Sequence, residues 1–380
     1  MSKKVILTGV TGQAGSYFAD YLLENTDYEI YGMTRRLSVK NHINIEHLKE
    51  NTRFHLFSGD LNDSHSIFEC IKNIMPDYFI NCAAQSFVFE SWISPANTMF
   101  INSVSIIHIL EAIRQLNPKC RFVNFGSSEE WGDIVYSPQD EKHPPRARSI
   151  YGASKIAARQ IIKVYRDSYG LYCLQSWCAN YESPRRGIEF VTRKITKGLA
   201  DIYHSIKNNR PIKAIELGNL DSKRDWSFCT DIINGIWRMI NQEKFRNELK
   251  LSNDFSSKQI KEYVLSSNET HSIRDFCELA VKKSNIIDLW REKYKIEGEI
   301  SLKWGPFYTE KDAYFACADD YTETFLCLIK TNSKFNRLAD VEVLQGDSSL
   351  ARTELNWQPK ISFDELVERM VKSDIVNYGK

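Results

Sequence analysis

The chain has 380 residues, of which 42% are hydrophobic and 26% charged, so it can bury a large core and form two lobes. Its 50 basic and 49 acidic side chains leave a formal charge of +1, which gives no reason to expect a nucleic-acid or membrane partner. We find no secretory signal and no apolar run that approaches a membrane span. The nine cysteines are scattered without a Cys-x-x-Cys pair, which predicts mostly buried, reduced thiols in a cytoplasmic protein, with no metal site and no disulfide framework.

The chain opens with an apolar strand that leads directly into a glycine-rich turn and a helical pattern. The strand Val5–Thr8 is followed by Gly9, Gly12 and Gly15, and helical spacing begins at Tyr17. Glycines at such a turn let the backbone approach a pyrophosphate, whose charge is met by the helix N-terminus. The spacing of these glycines is typical of the short-chain dehydrogenase/reductase superfamily, so we expect a dinucleotide here.

The second strand, Tyr28–Met33, is followed by two arginines, Arg35 and Arg36. An acidic residue at this place would accept the ribose hydroxyls of NAD, whereas two guanidinium groups suit a 2′-phosphate. We therefore predict NADP; two solvated loop arginines are the alternative. The next two strands end beside residues that the superfamily uses for the adenine and nearby cofactor atoms: Asp60, Leu61, Ala83 and Ser86.

Apolar strands alternate with helical segments from residue 4 to residue 180. This order predicts an α/β fold with a doubly wound parallel sheet of the Rossmann type. We assign residues 1–180 to an NADP-binding domain, to which a segment near 213–240 returns, and residues 181–380 mainly to a smaller, mixed α/β lobe that binds the substrate. Residues 305–336 have weak periodicity and receive no assignment.

A tyrosine and a lysine lie one helical turn apart in the run Tyr151-Gly152-Ala153-Ser154-Lys155. A nearby ammonium favours the phenolate, so the phenol becomes a base closer to neutral pH. Ser127, at the end of the preceding strand, has a hydroxyl that could hold a substrate oxygen against that phenol. These are the parts that take a proton from an alcohol while a hydride leaves its carbon. Alone the pair is weak evidence, because helices carry a packed tyrosine and a solvated lysine at this spacing by chance.

Two basic clusters follow the predicted sheet. Arg185, Arg186, Arg193 and Lys194 lie within ten residues, and Arg224 lies beside an aspartate and a tryptophan. This composition suits an anionic ligand. The alternative is a solvated basic face, the commoner fate of a charge run, but both clusters lie at strand ends and are interrupted by Gly, Pro or Trp.

Together these motifs resemble the GDP-mannose 4,6-dehydratase family of extended short-chain dehydrogenases/reductases, over nearly the whole chain. The resemblance rests on the glycine turn, on Ser127-Ser128-Glu129 and on the Tyr151/Lys155 pair, and it is strongest in the run Glu-Ser-Pro-Arg-Arg-Gly at 182–187. It implies a GDP-sugar substrate, in the first place GDP-mannose, and a homodimer or homotetramer.

The resemblance also implies roles for individual residues. Tyr151 would take the proton of the sugar's 4-hydroxyl, Lys155 would lower the tyrosine pKa, and Ser127 would bind the 4-oxygen. Glu129 would take the C5 proton and deliver one to the departing 6-hydroxyl, while a recycled NADP returns its hydride to C6. Cofactor contacts are expected at Gly9, Thr11, Gly12, Gln13, Gly15, Arg35, Arg36, Asp60, Leu61, Ala83, Ser86, Tyr151 and Lys155. Substrate contacts are expected at Ser86, Ser128, Asn180, Val191, Lys194, Gly218, Arg224, Arg337 and Asp340.

Several residues depart from the family pattern: Ala14 replaces an aspartate, Phe87 and Tyr181 replace histidines, and Glu130-Trp131 replaces Leu-Tyr. These changes border the predicted sugar and nucleotide pockets, so they leave the sugar open more than the reaction. The alternatives are a dehydratase of another GDP-sugar such as a GDP-manno-heptose, an NADPH-dependent reductase of a GDP-4-keto-6-deoxy sugar, and a cofactor-binding regulator without turnover. The intact serine, glutamate, tyrosine and lysine argue against the last.

Overall fold

The chain folds into two compact units in a computed structural model that describes residues 2–36, 38–39, 41–251, 259–307, 310–318, 325–335, 341 and 343–379. The first unit comprises Met1–Tyr181, Asp225–Glu269 and Leu344–Lys360, and the second comprises Glu182–Arg224, Thr270–Val343 and Ile361–Lys380. The return to the first unit therefore begins at Asp225, later than the predicted 213, and a second returning segment lies near the C-terminus.

A six-stranded parallel sheet forms the centre of the first unit. Its strands are β1 Lys4–Thr8, β2 Glu29–Thr34, β3 Phe54–Ser58, β4 Tyr78–Asn81, β5 Arg121–Asn124 and β6 Cys173–Gln175. They lie in the order β3-β2-β1-β4-β5-β6, so the winding reverses between β1 and β4. This order confirms the predicted doubly wound sheet, in which ligands bind outside the carboxyl ends of the strands at the reversal.

Thirteen α-helices occur in the described part of the chain. They are α1 Gln13–Asn25, α2 Ser64–Ile74, α3 Glu90–Ile93, α4 Pro95–Met99, α5 Ser105–Leu116, α6 Ile150–Tyr169, α7 Val191–Lys207, α8 Cys229–Ile240, α9 Gln242–Glu248, α10 Ile273–Ser284, α11 Ile286–Tyr294, α12 Ser349–Leu355 and α13 Phe363–Val376. In the first unit they bury apolar stripes on both faces of the sheet. Phe18 and Ile232 lie in one core cluster, and Ile109 and Ile162 lie in the other.

The shorter strands continue the numbering. They are β7 Trp177–Cys178, β8 Asn180–Glu182, β9 Ile215–Leu217, β10 Lys223–Arg224, β11 Trp226–Phe228, β12 Val264–Leu265, β13 His271–Ser272, β14 Ile300–Phe307, β15 Glu310–Ala318, β16 Phe325–Thr331 and β17 Val343–Leu344. The segment 173–178 therefore contains two successive strands, β6 and β7. The second of them, β7, leaves the main sheet and pairs in parallel with β12.

One helical stretch of the first unit, Pro95–Leu116, is long and apolar enough to cross a membrane by length and composition. This corrects the view from the sequence that no apolar run approaches a membrane span. The stretch consists of α4 and α5, with a π-helical segment at Phe100–Val104 between them. Half of its most apolar 18-residue stretch is buried inside the protein, and Ile106 and Ile113 are completely buried in the core beside the sheet. These contacts are those of a core helix. The prediction of mostly buried thiols is confirmed as well, since seven of the nine cysteines are buried.

A buried carboxylate ties the two returning segments of the first unit together. Asp225, 1% exposed, accepts hydrogen bonds from the amides of Ser267 (2.9 Å), Asn268 (3.1 Å) and Gly346 (3.3 Å). Burial raises the pKa of Asp225 to about 6, although these hydrogen bonds favour the ionised form. The Asp225 side chain thus joins its own loop to two others, at 267–268 and at 346, which are remote from it in sequence.

The second unit contains a four-stranded sheet that the sequence did not predict. Its order is β14-β15-β16-β9, with antiparallel pairing among the first three strands and parallel pairing between β16 and β9. Every residue from Ala313 to Ala318 is buried, so both faces of β15 are covered. A strand covered on both faces has no alternation of polar and apolar residues, which explains the weak periodicity of this region.

Candidate active site

The glycine turn lies between β1 and α1, at the carboxyl edge of the central sheet. Gly9 has φ +62°, and a Cβ atom there would lie 2.8 Å from the amide nitrogen of Ala83. A Cβ atom on Gly15 would lie 2.3 Å from the carbonyl oxygen of Gly9, so α1 packs on the turn only because residue 15 has no side chain. Within the described chain no side chain caps the first turn of α1, which follows Gly12. The turn therefore has the form of a site for a phosphate group.

The two other residues predicted in this turn, Thr11 and Gln13, also bond to the protein itself. Asn44 Nδ2 donates to the carbonyl oxygen of Thr11 at 2.9 Å, and Gln13 Nε2 donates to the carbonyl oxygen of Tyr181 at 3.0 Å. The Gln13 side chain is buried in that contact, so it supports the turn.

A cavity of about 390 Å³ lies at the carboxyl ends of β2 and β3. The residues that line it are Arg35, Arg36, Ser58, Gly59, Asp60, Asp63 and Ser66. Both arginines are exposed at its edge, and the amide of Asp60 donates to Ser66 Oγ at 3.1 Å. Leu61, which follows, points into the core. The cavity therefore combines two guanidinium groups with the aspartate predicted beside the adenine, as a phosphorylated adenosine requires.

The segment after β4, from Ala83 to Ser86, is fastened to α6 through Asn102. Asn102 Oδ1 accepts from the amide of Gln85, and Asn102 Nδ2 donates to the Gln85 carbonyl oxygen, both at 2.9 Å. Asn102 Nδ2 also donates to Ser154 Oγ at 3.0 Å. Ser86 is exposed beyond this fastening, where a ligand can reach it.

The chain leaves β5 into a single 3₁₀ turn, Ser128–Glu130, which contains the predicted Glu129 and directly follows the predicted Ser127. Ser127 caps this turn: its Oγ accepts from the amide of Glu129 at 3.2 Å, and its own amide donates to Glu130 Oε1 at 2.8 Å. Ser127 and Glu129 are partly exposed, whereas Ser128 is 3% exposed. The substrate contact by Ser128 stays a prediction.

Helix α6 begins one residue before the predicted tyrosine and lies directly against this turn. Ser149 caps it, accepting from the amide of Gly152 at 3.0 Å. A Cβ atom on Gly152 would lie 2.5 Å from the carbonyl oxygen of Glu129, so the helix approaches the turn as closely as a glycine allows. The structure thus brings the four predicted catalytic residues together, although two of them lie in the turn and two in the helix.

Lys155 is buried close to the tyrosine, with 3% of its surface exposed. Its Nζ donates to the carbonyl oxygen of Phe125 at 2.7 Å and lies 5.9 Å from the centroid of the Tyr151 ring. Burial lowers the pKa of Lys155 to about 8, while the carboxylate of Glu130 opposes that shift. An ammonium at this distance favours the phenolate of Tyr151, which is 8% exposed.

Sequence reasoning missed the ion pair behind the turn. Glu130 is completely buried and accepts from Arg159 Nε at 2.7 Å. Arg159 also pairs with Glu262 and stacks on Trp177, 3.6 Å from its ring centroid. The only signal in the sequence was the departure at Glu130 from the family pattern. Its partner Arg159 lies 29 residues away, and Glu262, the second partner of Arg159, lies a further 103 residues along the chain, where no local pattern can reveal them.

Asn180, predicted to contact the substrate, opens β8 in the first unit. Its Oδ1 atom is buried and has no hydrogen-bond partner among the described residues. A buried acceptor without a partner costs free energy unless a ligand or water satisfies it. A hydrogen-bond donor of a ligand would satisfy this atom.

Two arginines of the basic cluster at 185–194 form ion pairs with carboxylates of the protein. Arg186 Nε lies 3.2 Å from Glu182, and Arg193 lies 2.7 Å from Asp374. Two of the four clustered cations therefore hold α7 and its entrance in place, which corrects the view of the whole cluster as an anion site. Lys194, in the first turn of α7, lies 3.4 Å from the ring centroid of Phe335. Burial lowers its pKa, and Glu216 opposes this.

The remaining predicted substrate residues have different positions within the second unit. Val191 begins α7, and Gly218 directly follows β9. Arg224 is 7% exposed and donates to the carbonyl oxygen of Val341 at 2.7 Å, which fixes its direction. The last two, Arg337 and Asp340, lie outside the described residues.

The family model described as GDP-mannose 4,6 dehydratase matches residues 6–370. A GDP-mannose 4,6 dehydratase of Drosophila melanogaster is 37% identical over 98% of this chain and 86% of its own length. A GDP-mannose 4,6-dehydratase of Vibrio cholerae is 34% identical over 99% of this chain and 94% of its own. The chain belongs to the GDP-mannose 4,6-dehydratase family. The resemblance drawn from the motifs is confirmed.

More distant solved structures share the family's fold. DesIV, a dTDP-glucose 4,6-dehydratase from Streptomyces venezuelae solved with NAD, is 17% identical and superposes with a TM-score of 0.73. The match covers 99% of this chain and 98% of DesIV. At this identity the likeness establishes the fold, and the chemistry has to be argued from the site.

Proposed function

We propose that this chain is a GDP-mannose 4,6-dehydratase, which converts GDP-mannose to GDP-4-keto-6-deoxymannose. Its family membership over residues 6–370 gives the reaction class. The observation that carries the proposal is the close packing of Gly152 on the carbonyl of Glu129, since it joins an oxidising pair and an eliminating carboxylate in one site. A simple reductase needs only the first of these.

We propose NADP as the cofactor. The glycine turn, where Gly9 and Gly15 pack so closely on the backbone that no Cβ atom fits, suits the pyrophosphate, and the cavity at Arg35 and Arg36 suits a 2′-phosphate. Bound NADP supplies an acceptor for the hydride from C4 and returns that hydride to C6. Because no net electrons leave the reaction, one tightly held cofactor serves many turnovers.

The residues of the first unit divide the proton chemistry between them. Tyr151, as the phenolate, takes the proton of the 4-hydroxyl, and Ser127 holds that oxygen. The resulting ketone makes the C5 hydrogen acidic, so Glu129 can remove it and protonate the departing 6-hydroxyl. Lys155 stabilises the phenolate of Tyr151 only while it is an ammonium. Since its pKa is about 8, we propose that activity declines as the pH rises above that value.

We propose that the GDP-sugar is bound by the substrate residues predicted from the sequence, Ser128 among them. Asn180 supplies its unsatisfied acceptor, and Lys194 and Arg224 supply positive charge. Ser86, Val191, Gly218, Arg337 and Asp340 complete the proposed set.

We also propose that the chain forms a homodimer or homotetramer. Exposed apolar side chains in the first unit support this, because they gather on neighbouring helices. They are Trp92 and Ile93 of α3, Ile107 of α5 and Val164 of α6.

The reaction itself is tested by mass spectrometry of the purified protein incubated with GDP-mannose in deuterated water and a catalytic amount of NADP. We expect loss of one water and gain of one deuteron at C5, without net consumption of cofactor. A product that forms only with stoichiometric NADPH from a 4-keto sugar would identify a reductase instead. Turnover of a GDP-manno-heptose but not GDP-mannose would keep the reaction and change the sugar.

Cofactor choice is tested by replacing Arg35 and Arg36 with alanine. Each guanidinium that bonds to the 2′-phosphate contributes about 1.5–3 kcal/mol, so NADP affinity should fall by about a hundredfold or more. Affinity for NAD, which lacks that phosphate, should change little and serves as the internal control. Calorimetric titration of both cofactors measures this, and equal losses for the two would remove the 2′-phosphate argument.

A further inference from the structure

A row of buried polar side chains crosses four neighbouring strands at their carboxyl ends. Thr8, Asn81, Asn124 and Gln175 stand opposite one another in register on β1, β4, β5 and β6. Thr8 Oγ1 donates to Asn81 Oδ1 at 2.6 Å, Asn81 Nδ2 donates to Asn124 Oδ1 at 2.8 Å, and Asn124 Nδ2 donates to Gln175 Oε1 at 2.6 Å. The amide of Ala83, beside the glycine turn, donates to the first member, Thr8.

The row ends on Glu130. Gln175 Nε2 donates to Glu130 Oε1 at 3.1 Å and to the carbonyl oxygen of Lys155 at 2.9 Å. A carboxylate can only accept, so Gln175 must present its amino group to Glu130 and its oxygen to Asn124. Asn124 and Asn81 must then each donate towards Gln175 and accept from the side of Thr8. Glu130 and the carbonyl oxygen of Lys155, which both only accept, therefore set the direction of the hydrogen bonds along the row, from the glycine turn to the turn at Ser128–Glu130, which we call the catalytic turn.

Glu130 also holds the catalytic turn directly. Its Oε1 accepts from the amide of Ser127, and its Oε2 accepts from Arg159. Arg159 in turn donates to the carbonyl oxygens of Gln175 (3.1 Å) and Ser176 (2.8 Å). Through Arg159, Glu130 is held at the carboxyl end of β6. Its own hydrogen bond to the Ser127 amide in turn holds the residue that precedes the 3₁₀ turn.

Lys155 lies within the field of these charges. Besides burial, the groups that act on its pKa are Glu130, Cys178 and Cys82, which raise it, and Arg159, which lowers it. Among these Glu130 has the largest effect after burial. Tyr151 lies one helical turn away, and its phenolate is the group that the lysine charge is proposed to stabilise.

We propose that Glu130 is a positioning residue: its carboxylate fixes the turn that presents Ser127 and Glu129 and, through Gln175, ties that turn to the backbone of α6 at Lys155. The kinetic part of this inference rests on the proposed function. A purely structural need explains the pair less well, because apolar side chains of similar volume often stabilise a core as much as a buried ion pair does.

The test compares Glu130→Gln with Glu262→Gln. Both changes remove one carboxylate from Arg159, but only Glu130 bonds to the Ser127 amide and acts on Lys155. In the pH profile of kcat/KM for GDP-mannose, Glu130→Gln should move the alkaline limb to lower pH by about one unit or more, because the lysine loses its proton more easily. Glu262→Gln should leave that limb in place. An unmoved limb in Glu130→Gln, or equal movement in both variants, would overturn the proposal.

A second readout needs no substrate. Amide hydrogen exchange of the peptide that contains Ser127 should be faster in Glu130→Gln than in the wild type, and unchanged in Glu262→Gln. Equal exchange in all three proteins would refute the positioning role, whereas a wild type inert towards GDP-mannose would refute only the proposed function. If Glu130→Gln alone does not fold, Glu130→Gln with Arg159→Gln leaves no unpaired buried cation at residue 159. A smaller shift of the limb in the same direction is then expected, and no shift would count against the proposal.

Discussion

Tyr151→Phe is expected to slow oxidation at C4 by about a hundredfold to ten-thousandfold, the range that a positioned base contributes. The change removes one phenolic oxygen and keeps a ring that is 8% exposed, so the fold and the glycine turn should persist. The measurement is a single turnover: protein loaded with NADP is mixed with GDP-mannose, and the near-ultraviolet absorbance of reduced nicotinamide is followed.

The matched control for this variant is Tyr165→Phe. Tyr165 lies on the same helix, and its hydroxyl donates to Glu111 at 2.8 Å, away from the catalytic turn. Losing that hydroxyl should leave the rate of C4 oxidation near that of the wild type. If Tyr151→Phe turned over normally, the base would have to be another group.

Glu129→Gln is expected to stop the reaction after the first hydride transfer. The amide cannot take the C5 proton, so water elimination should slow by about a hundredfold or more. Reduced cofactor should then accumulate on the protein with little 6-deoxy product. Rapid quenching followed by mass spectrometry of the sugar, together with the absorbance of bound cofactor, separates the two steps.

This variant has an internal control in its first step. The packing of Gly152 on the turn involves the carbonyl oxygen of Glu129 and not its carboxylate, so substitution leaves that contact intact. C4 oxidation at the wild-type rate would show that the site is still assembled. Elimination at the wild-type rate would assign the acid/base role to a different residue.

Much of the site could be predicted because its parts are local in sequence. A strand, a glycine turn and a helix follow one another within residues 4–25, and Tyr151 and Lys155 share one helix face. Such features depend on spacing along the chain, which the sequence displays directly. The order of strands and helices likewise predicts a doubly wound sheet, because parallel neighbours require crossover connections.

Other features could not be predicted, for identifiable physical reasons. The second sheet was missed because β15 is covered on both faces and shows no alternation. The basic cluster was overestimated because the partners of Arg186 and Arg193 are carboxylates, one of them 181 residues away in α13.

The sequence by itself determined the family, the sheet and the identity of the four groups proposed to carry out the reaction, since each depends on short-range order. Only the tertiary structure decided what holds those groups. The row from Thr8 to Glu130 joins residues from four strands and the catalytic turn, and Arg159 with Glu262 joins segments 103 residues apart. Hydrogen bonds between remote buried side chains form wherever the fold brings donors and acceptors together, and no spacing along the chain encodes that meeting.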